Sequence, residues 1–502
     1  MTPKPITVAL RAGISLTGLI LLPLAGCAVG PDFQKPAPPD VKVYTAQPLT
    51  PTASVPGFAG GEAQSFAPAS DIAADWWTLF HSEALNALIA QALNNNHDLK
   101  AAQAALRVAR ENTRAGRGAY YPKLTAGFSA SREQDPYDAL APVPSNNASL
   151  YNLFTPQVSV SYTPDVFGLN RRTVEALQAQ EQGARYQLAA AYITLVNNVV
   201  ATAIQQAAVQ AQIDATRQMI ADNNQMVQIL QDQFAKGYAS GLDLAAQQSQ
   251  LAQLAATLPA LLKQKVQIDD QLAVLAGKFP TEAPAQHFDL TALQLPRDLP
   301  LSLPSTLVTQ RPDVLQAEAN MQAANAQIGV AIANRLPNIA LTGNAGSTAL
   351  EIGQLFGPGT DFWNIGAALG ATLFDGGTLQ HQEAGARAAY DQATEQYRST
   401  VLGAVQNVAD SLAALQQDAD GLAAAAKAET AAKATLDITE HQRQVGYANT
   451  VGLLNAEQAF QQARIALIQA QASRYTDTAA LFQALGGGWW HRTELARDEH
   501  GN

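Results

Sequence analysis

Asp98-Leu99-Lys100-Ala101-Ala102 opens a helical stretch that closes at Tyr121-Pro122-Lys123-Leu124. Asp313-Val314-Leu315-Gln316-Ala317 opens a second one, which closes at Leu336-Pro337-Asn338-Ile339. The two starts and the two prolines both lie 215 residues apart, without a gap. Farther on, Lys236-Gly237-Tyr238-Ala239 matches Val445-Gly446-Tyr447-Ala448 at an offset of 209, which persists from Leu272 to Gly277 against Leu481 to Gly486. Self-similarity held at a fixed offset over such a span marks a structural duplication. The second copy has lost six residues, and the loss falls between its two strands. Each copy therefore has one plan: a helix ending at a proline, two strands around a loop, a very long helix, a Gly-Tyr turn and a medium helix.

The strands alternate with period two. Leu124, Ala126, Phe128 and Ala130 oppose Thr125, Gly127, Ser129 and Ser131. Val158, Val160 and Tyr162 oppose Gln157, Ser159, Ser161 and Thr163. In the second copy Ile339, Leu341 and Ala345 oppose Asn338, Thr342 and Asn344. Its partner strand sets Trp363, Ile365, Ala367, Leu369, Ala371 and Leu373 against Asn364, Gly366, Ala368, Gly370 and Thr372. A length of about ten residues suits a tilted membrane strand. The second face is rich in Ser, Thr, Gly and Asn, as a wetted lumen requires. The segments between paired strands, Gln134–Phe154 and Ser347–Phe362, carry Pro and Gly and read as external loops.

The long helices are expected over roughly Leu169–Phe234 and Thr378–Gln444. At 1.5 Å per residue each is about 100 Å long. Ile213, Ile220, Val227 and Phe234 recur every seven residues. Leu244, Leu251, Leu258 and Leu272 do the same, with Lys265 in the gap; Leu453, Phe460, Leu467 and Leu481 follow, with Arg474 in the gap. A sustained heptad implies left-handed knobs-into-holes packing. The core is a helical bundle or barrel. Four strands cannot close a membrane barrel alone, since the smallest have about eight, and lipid tolerates no open sheet edge. The chain must oligomerise if the strands span. A dimer would give about eight strands, a barrel filled by side chains, and a trimer about twelve, which can hold water; the small polar inner face favours the wider one, and both numbers satisfy closure.

Composition agrees. The 502 residues are 47% hydrophobic, 7% aromatic and 15% charged, with one cysteine. A charge of −11 argues against a nucleic-acid partner. The lone cysteine excludes a disulfide framework and a Cys-rich metal site. Beyond the first few dozen residues no stretch reads as a bilayer-spanning helix.

The start of the chain sets the compartment. Lys4 and Arg11 precede an apolar run over Ile14–Leu24, and Leu24-Ala25-Gly26-Cys27 follows. This is the form of a secretory signal, and its end resembles a bacterial lipobox. That resemblance implies diacylglyceryl transfer to the Cys27 thiol, cleavage before it and acylation of the new amine (N-palmitoyl, S-diacylglycerol cysteine). At about 0.8 kcal/mol per buried CH₂, such chains anchor firmly. Ala28, in place of an aspartate, implies the outer membrane. Cleavage removes Lys4 and Arg11 and takes the formal charge from −11 to −13. Residues 28–70 are rich in Pro, Gly, Ala, Ser and Thr and read as an extended tether along the folded body.

Further motifs carry a wider resemblance. Cys27-Ala28-Val29-Gly30-Pro31-Asp32-Phe33 is similar to the mature start of lipidated outer membrane efflux proteins. So is Trp76-Trp77-Thr78-Leu79-Phe80, with Leu85, Leu88, Ala92-Leu93, Asn95 and Asp98-Leu99 behind it. Asp165-Val166-Phe167-Gly168 and Leu373-Phe374-Asp375-Gly376-Gly377 look like that family's strand-to-helix junctions. Over nearly the whole mature chain the sequence resembles TolC-like outer membrane factors, in the lipoprotein (NodT-type) branch used with resistance-nodulation-division pumps. The resemblance implies a mainly α fold with a four-stranded β contribution. It also implies a homotrimer whose 12-stranded outer membrane β-barrel is continued by a long periplasmic α-helical barrel. The implied partners are a periplasmic membrane-fusion adaptor and an inner membrane RND-type pump. The implied function is the passive exit duct of a tripartite efflux pump.

The domains expected are a signal peptide over 1–26, a lipidated tether over 27–75 and a first repeat over 76–279, with strands near 124–133 and 155–164. A linker over 280–310, a second repeat over 311–488 with strands near 338–346 and 362–373, and a flexible tail over 489–502 follow. The resemblance makes Lys236, Gly237, Tyr238, Ser240, Gly446, Tyr447 and Asn449 the periplasmic turns that dock the adaptor. By helix length these turns lie about 100 Å from the strands. It makes Asp243 a candidate aperture residue, with Asn455 in the second copy. There the family's usual aspartates are replaced by Gly452 and Asn455, so a strong acidic ring is not expected. Asp243 also suits the N-terminus of the helix that begins at Leu244.

Nothing points to catalysis, a cofactor or a metal. The histidines at 81, 97, 287, 381, 441, 491 and 500 show no His-Glu-x-x-His spacing, and neither a P-loop nor a dinucleotide fingerprint occurs. Gly127-Phe128-Ser129-Ala130-Ser131 fails the nucleophile-elbow pattern at its last position. The alternative to a duct is a structural or adhesive coiled-coil envelope lipoprotein with a soluble sheet. A duct selects little, so the sequence leaves the exported substrate to the pump.

Overall fold

A computed structural model describes residues 28–134, 136, 149–282 and 286–492. The segment read as a signal peptide, Cys27, most of the segment read as the first external loop, and residues 283–285 and 493–502 lie outside the described residues. The chain divides into two compact units. The first comprises Met1–Gln34 (described from residue 28), Glu111–Ala179 and Gln322–Gln392. The second comprises Lys35–Arg110, Gln180–Met321 and Ala393–Asn502.

In chain order the elements are β1 (Ser65–Pro68), α1 (Glu83–Asn95), α2 (His97–Arg117), β2 (Lys123–Gln134), β3 (Leu150–Tyr162), α3 (Leu169–Ala235) and α4 (Gly241–Leu275). The linker adds β4 (Asp298–Leu301) and α5 (Pro304–Gln310), and the second copy follows with α6 (Pro312–Ala333), β5 (Asn338–Ser347), β6 (Asp361–Gly370), α7 (Thr378–Gln444) and α8 (Thr450–Ala484). The long helices α3 and α7 have 67 residues each and the medium helices α4 and α8 have 35 each. The duplication is thus exact in the lengths of the long and medium helices.

The first unit holds a four-stranded antiparallel sheet in the order β2-β3-β5-β6, so β3 and β5 join the two copies. Strand β3 starts at Leu150, earlier than expected, and β6 ends at Gly370, before Ala371 and Leu373. Gly376 and Gly377 both take positive φ, and the chain leaves the ladder ahead of them to enter α7. Both long helices are capped by an aspartate from the junction motifs. Asp165 accepts from the Asn170 and Arg171 amides at 2.8 and 2.9 Å. Asp375 accepts from the Gly377 and Leu379 amides at 2.9 and 2.8 Å. A carboxylate there satisfies orphan amides and complements the helix dipole.

The second unit has its core around Trp76, Phe80, Tyr475 and Phe482, all buried. The Trp76 ring stacks on Phe482 at 4.9 Å between centroids, and Tyr475 Oη donates to Leu293 O at 2.9 Å. In α4 the fully buried positions are Gln247, Leu254, Ile268, Leu272 and Ala273, so the expected leucine row is buried only at Leu272, while Leu244, Leu251 and Leu258 are half-buried. Gln247, Leu254 and Ile268 form a second seven-residue seam beside that row.

Four expectations change. The tether is not simply extended, because β1 pairs in parallel with β4 from the linker, Ser65 opposite Asp298. Arg474, read as filling a heptad gap, is completely buried. It donates to Leu415 O at 2.9 Å on α7, and to Gly60 O, Glu62 O and Thr52 Oγ1 of the tether at 3.0–3.3 Å. Residues Trp489–His491 are a 3₁₀ turn rather than a flexible end: Trp489 is buried, and its Nε1 donates to Gln310 O at 2.6 Å. Finally, α3 contains an 18-residue window with a mean hydropathy of 1.4, as apolar as a membrane span. Most of that window is buried inside the chain, so it reads as a core helix; Val196, Val199, Val200 and Ile204 of α3 are all buried.

Candidate functional site

The sheet is the first part of the site. Its register aligns the apolar residues of all four strands into rows. Leu124 faces Val160, Val160 faces Gly343 and Gly343 faces Ile365. The next apolar row is Ala126, Val158, Ala345 and Trp363. Between them runs the polar row Thr125, Ser159, Asn344 and Asn364. Because side chains alternate across a sheet, one whole face is apolar and the other small and polar.

Neither face forms a core. Ile365 is 82% exposed and Trp363 74%, and Leu124, Phe128 and Leu369 are also exposed. Isolated exposed hydrophobes are ordinary, but a contiguous apolar face of this size marks a surface that meets lipid or protein. β2 and β6 each lack a neighbour on their outer edge among the described residues. The unit therefore presents an amphipathic sheet with two open edges.

The second part lies in the other unit, at the Gly-Tyr turns. The Gly237 amide donates to Phe234 O at 2.9 Å and that of Tyr238 to Gln233 O at 2.8 Å. The Gly446 amide donates to Arg443 O at 3.1 Å and that of Tyr447 to Gln442 O at 2.7 Å. Both are Schellman caps, and the glycines hold φ +78° and +84° as this cap requires. The next helix starts alike in both copies: the Asp243 amide donates to Ser240 Oγ at 3.1 Å, and the Gly452 amide to Asn449 Oδ1 at 2.8 Å. Lys236 is exposed, as are Tyr238 (82%) and Tyr447 (86%). The capping glycines and side chains are absorbed by local structure, and the two tyrosines are left free to meet something else.

The copies differ at one point. In the first, Ser240 Oγ also donates to Asp243 Oδ2 at 2.7 Å, a second bond across the cap. Gly452 cannot do this. Hydrogen bonds from Ser240 and from Thr450 hold the Asp243 carboxyl below the ordinary carboxylate range, with Arg443 adding a positive field. Asp243 thus stands at the start of α4, where its capping role places it, whereas Asn455 stands exposed on α8.

Sequence reasoning missed the polar cluster behind these turns. Buried Gln247 donates to Asn223 Oδ1 at 2.8 Å and to Glu457 Oε2 at 3.4 Å, tying α3, α4 and α8. Burial pushes the Glu457 carboxyl up. A cavity of about 1100 Å³ runs beside it between α3 and α7, lined by Asp214, Asp222, Glu429 and Glu440 and also by Lys433 and Arg443. The signal was present as polar residues on heptad seams, but only packing shows which of them meet. Among the described residues no group of three or more His, Cys, Asp or Glu is arranged to hold a metal ion.

Comparison with known proteins gives one consistent result. The family described as outer membrane efflux protein matches residues 88–278 and 303–487, one match per copy. The probable efflux pump outer membrane protein TtgC of Pseudomonas putida is 30% identical over 485 residues, covering 95% of this chain and 96% of that protein. Outer membrane protein OprJ of Pseudomonas aeruginosa is 29% identical, over 94% of this chain and 95% of its own. Among solved structures, the outer-membrane channel OprN superposes with a TM-score of 0.81 at 25% identity, over 92% of this chain and all of that one.

Proposed function

The chain belongs to the outer membrane efflux protein family, and on that premise we propose that it is the exit duct through which a tripartite pump passes its cargo out of the cell. It has the TolC-like outer membrane channel fold and is an outer membrane efflux protein with periplasmic helices. The observation that carries the duct reading is the sheet: a continuous apolar face, a continuous polar face and two unpaired edges. Lipid forbids open edges, so several copies close edge to edge, β2 against β6 of a neighbour. Three copies give about twelve strands, wide enough for a wetted lumen, where two would give a barrel filled by side chains. The duct conducts passively. The inner membrane RND-type pump supplies energy and selects the cargo.

Further assignments follow from this reading. Cys27 carries the lipid anchor. The turns at Lys236–Ser240 and Gly446–Asn449 dock the helical hairpin of a periplasmic adaptor, with exposed Tyr238 and Tyr447 as its contacts. Asp243 lines the periplasmic aperture. The adhesive-lipoprotein alternative lacks support, since a soluble sheet would not leave Trp363 and Ile365 bare.

Single-channel conductance in planar bilayers, with migration before and after heating in SDS, tests the duct. The expected result is stable conductance from an SDS-resistant oligomer of three chains. Protein that neither conducts nor forms such oligomers defeats the reading.

A further inference from the structure

The first residues after Cys27 are held in a built cradle. The Val29 amide donates to Phe167 O at 3.1 Å. Arg172, in the first turn of α3, has a side chain only 5% exposed. It donates to Val29 O at 3.1 Å, Gly30 O at 3.2 Å and Asp32 Oδ1 at 2.7 Å, and its remaining amine meets Glu175 Oε2 at 2.7 Å. From α6, buried Asn325 donates to Pro31 O at 2.9 Å. Three successive carbonyls are thus read by two buried side chains.

Sterics make the fit specific. Gly30 has φ +93°, and a Cβ there would lie 2.5 Å from Gly329 Cα. A Cβ on Gly329 would meet Arg172 Cγ at 2.7 Å, and one on Gly168 would meet Ala28 Cα at 2.6 Å. Glycines at three separate places in the chain are needed for the segment to seat. A loose tether needs none of this. Phe167 and Gly168 are the last residues before α3, and consecutive Cα atoms are about 3.8 Å apart. A segment pinned at Val29 therefore keeps Cys27 within two residues of the strand-to-helix junction.

We propose that this cradle is a peptide-binding site for the mature N-terminus, with Arg172 as its positioning residue, which fixes the acylated cysteine at the β3–α3 junction independently of the rest of the tether. The anchoring role rests on the lipidation of Cys27; the peptide recognition does not.

The test cuts the tether and asks whether its end stays. A specific protease site is inserted after Lys42, between exposed Val41 and Val43. The full-length oligomer, labelled with palmitate in cells, is cleaved and re-purified through its body. The expected result is that peptide 27–42 stays bound, and that Arg172→Ala and Gly30→Ala each lower its retention at least tenfold. Gly30→Ala lies on the peptide itself, so it tests the cradle even if Arg172→Ala fails to assemble. Loss of the peptide from the unsubstituted protein, or its retention in Gly30→Ala, overturns the proposal. Retained peptide without palmitate would overturn the lipidation reading alone.

Discussion

The Asp243 carboxylate, in the first turn of α4, accepts from the N-cap Ser240 Oγ at 2.7 Å, while the Asp243 amide donates to the same Oγ at 3.1 Å. Thr450, the first residue of α8, adds to Ser240 in holding the carboxyl below its ordinary range, which sets this group beside the second copy's turn. The second copy has Gly452 at the matching place and no carboxylate there.

Separate substitutions divide the capping and aperture roles. Ser240→Ala removes the cap and should cost about 1 kcal/mol of stability with little change in conductance. Asp243→Ala leaves the bond from its own amide to Ser240 Oγ in place and removes only the carboxylate, and should raise conductance and antibiotic leak. Unchanged conductance in Asp243→Ala assigns it to capping alone. The pH dependence has a definite sign. A carboxyl held below its ordinary 3.8 contributes above that value and loses the contribution as pH falls through its folded pKa. Leak through this residue should stay flat from pH 7 to about pH 4.

The turns can be probed through their glycines. Gly446→Val places a β-branched side chain at φ +84° and should cost 1 kcal/mol or more locally, on the order of a left-handed residue's penalty. Tyr238→Ala and Tyr447→Ala touch only exposed rings and should leave thermal stability within about 0.5 kcal/mol. If the turns dock an adaptor, both classes weaken co-purification with the adaptor; tyrosine variants that bind normally would move the docking surface elsewhere.

The sheet faces predict opposite tolerances at neighbouring positions. Ile365→Lys puts a charge on the apolar face and should cost about 2–4 kcal/mol if it lies near the bilayer midplane, abolishing heat-modifiable oligomer. Asn364→Lys points to the polar face and should insert normally while changing ion selectivity. Equal tolerance at both positions would contradict the assignment of faces.

Burial, with the neighbouring Asp477 carboxyl of α8, pushes the Asp418 carboxyl of α7 up to about 7. A raised carboxyl pKa means the folded state holds the extra proton, so stability falls as pH rises from about 4 to 7 and is level above. Asp418→Asn should flatten that slope and stabilise the protein at pH 8 by something like 2 kcal/mol, read from thermal unfolding at a series of pH values. A slope that survives the substitution would place its origin in another group.

Cys27→Ser should abolish palmitate incorporation. Label that persists would show that acylation, if any, lies elsewhere.

The duplication, strand faces, helix lengths and both turns were legible in the sequence, because each depends on local periodicity or local backbone geometry. Alternation at Leu124–Ala130 names a two-faced strand wherever it sits, and Gly237 and Gly446 end helices by their own φ. Tertiary structure decided what local pattern cannot encode. It set the register that lines up Leu124, Val160 and Ile365 in one row. It buried Arg474 against a tether more than 400 residues away in sequence, turned Trp489 from a loose end into a core residue, and seated residues 29–32 on Arg172. The physical reason is the same each time. A heptad or an alternation fixes which side a residue faces, but the identity of its distant partner is set only when the chain folds and the buried polar groups must find acceptors.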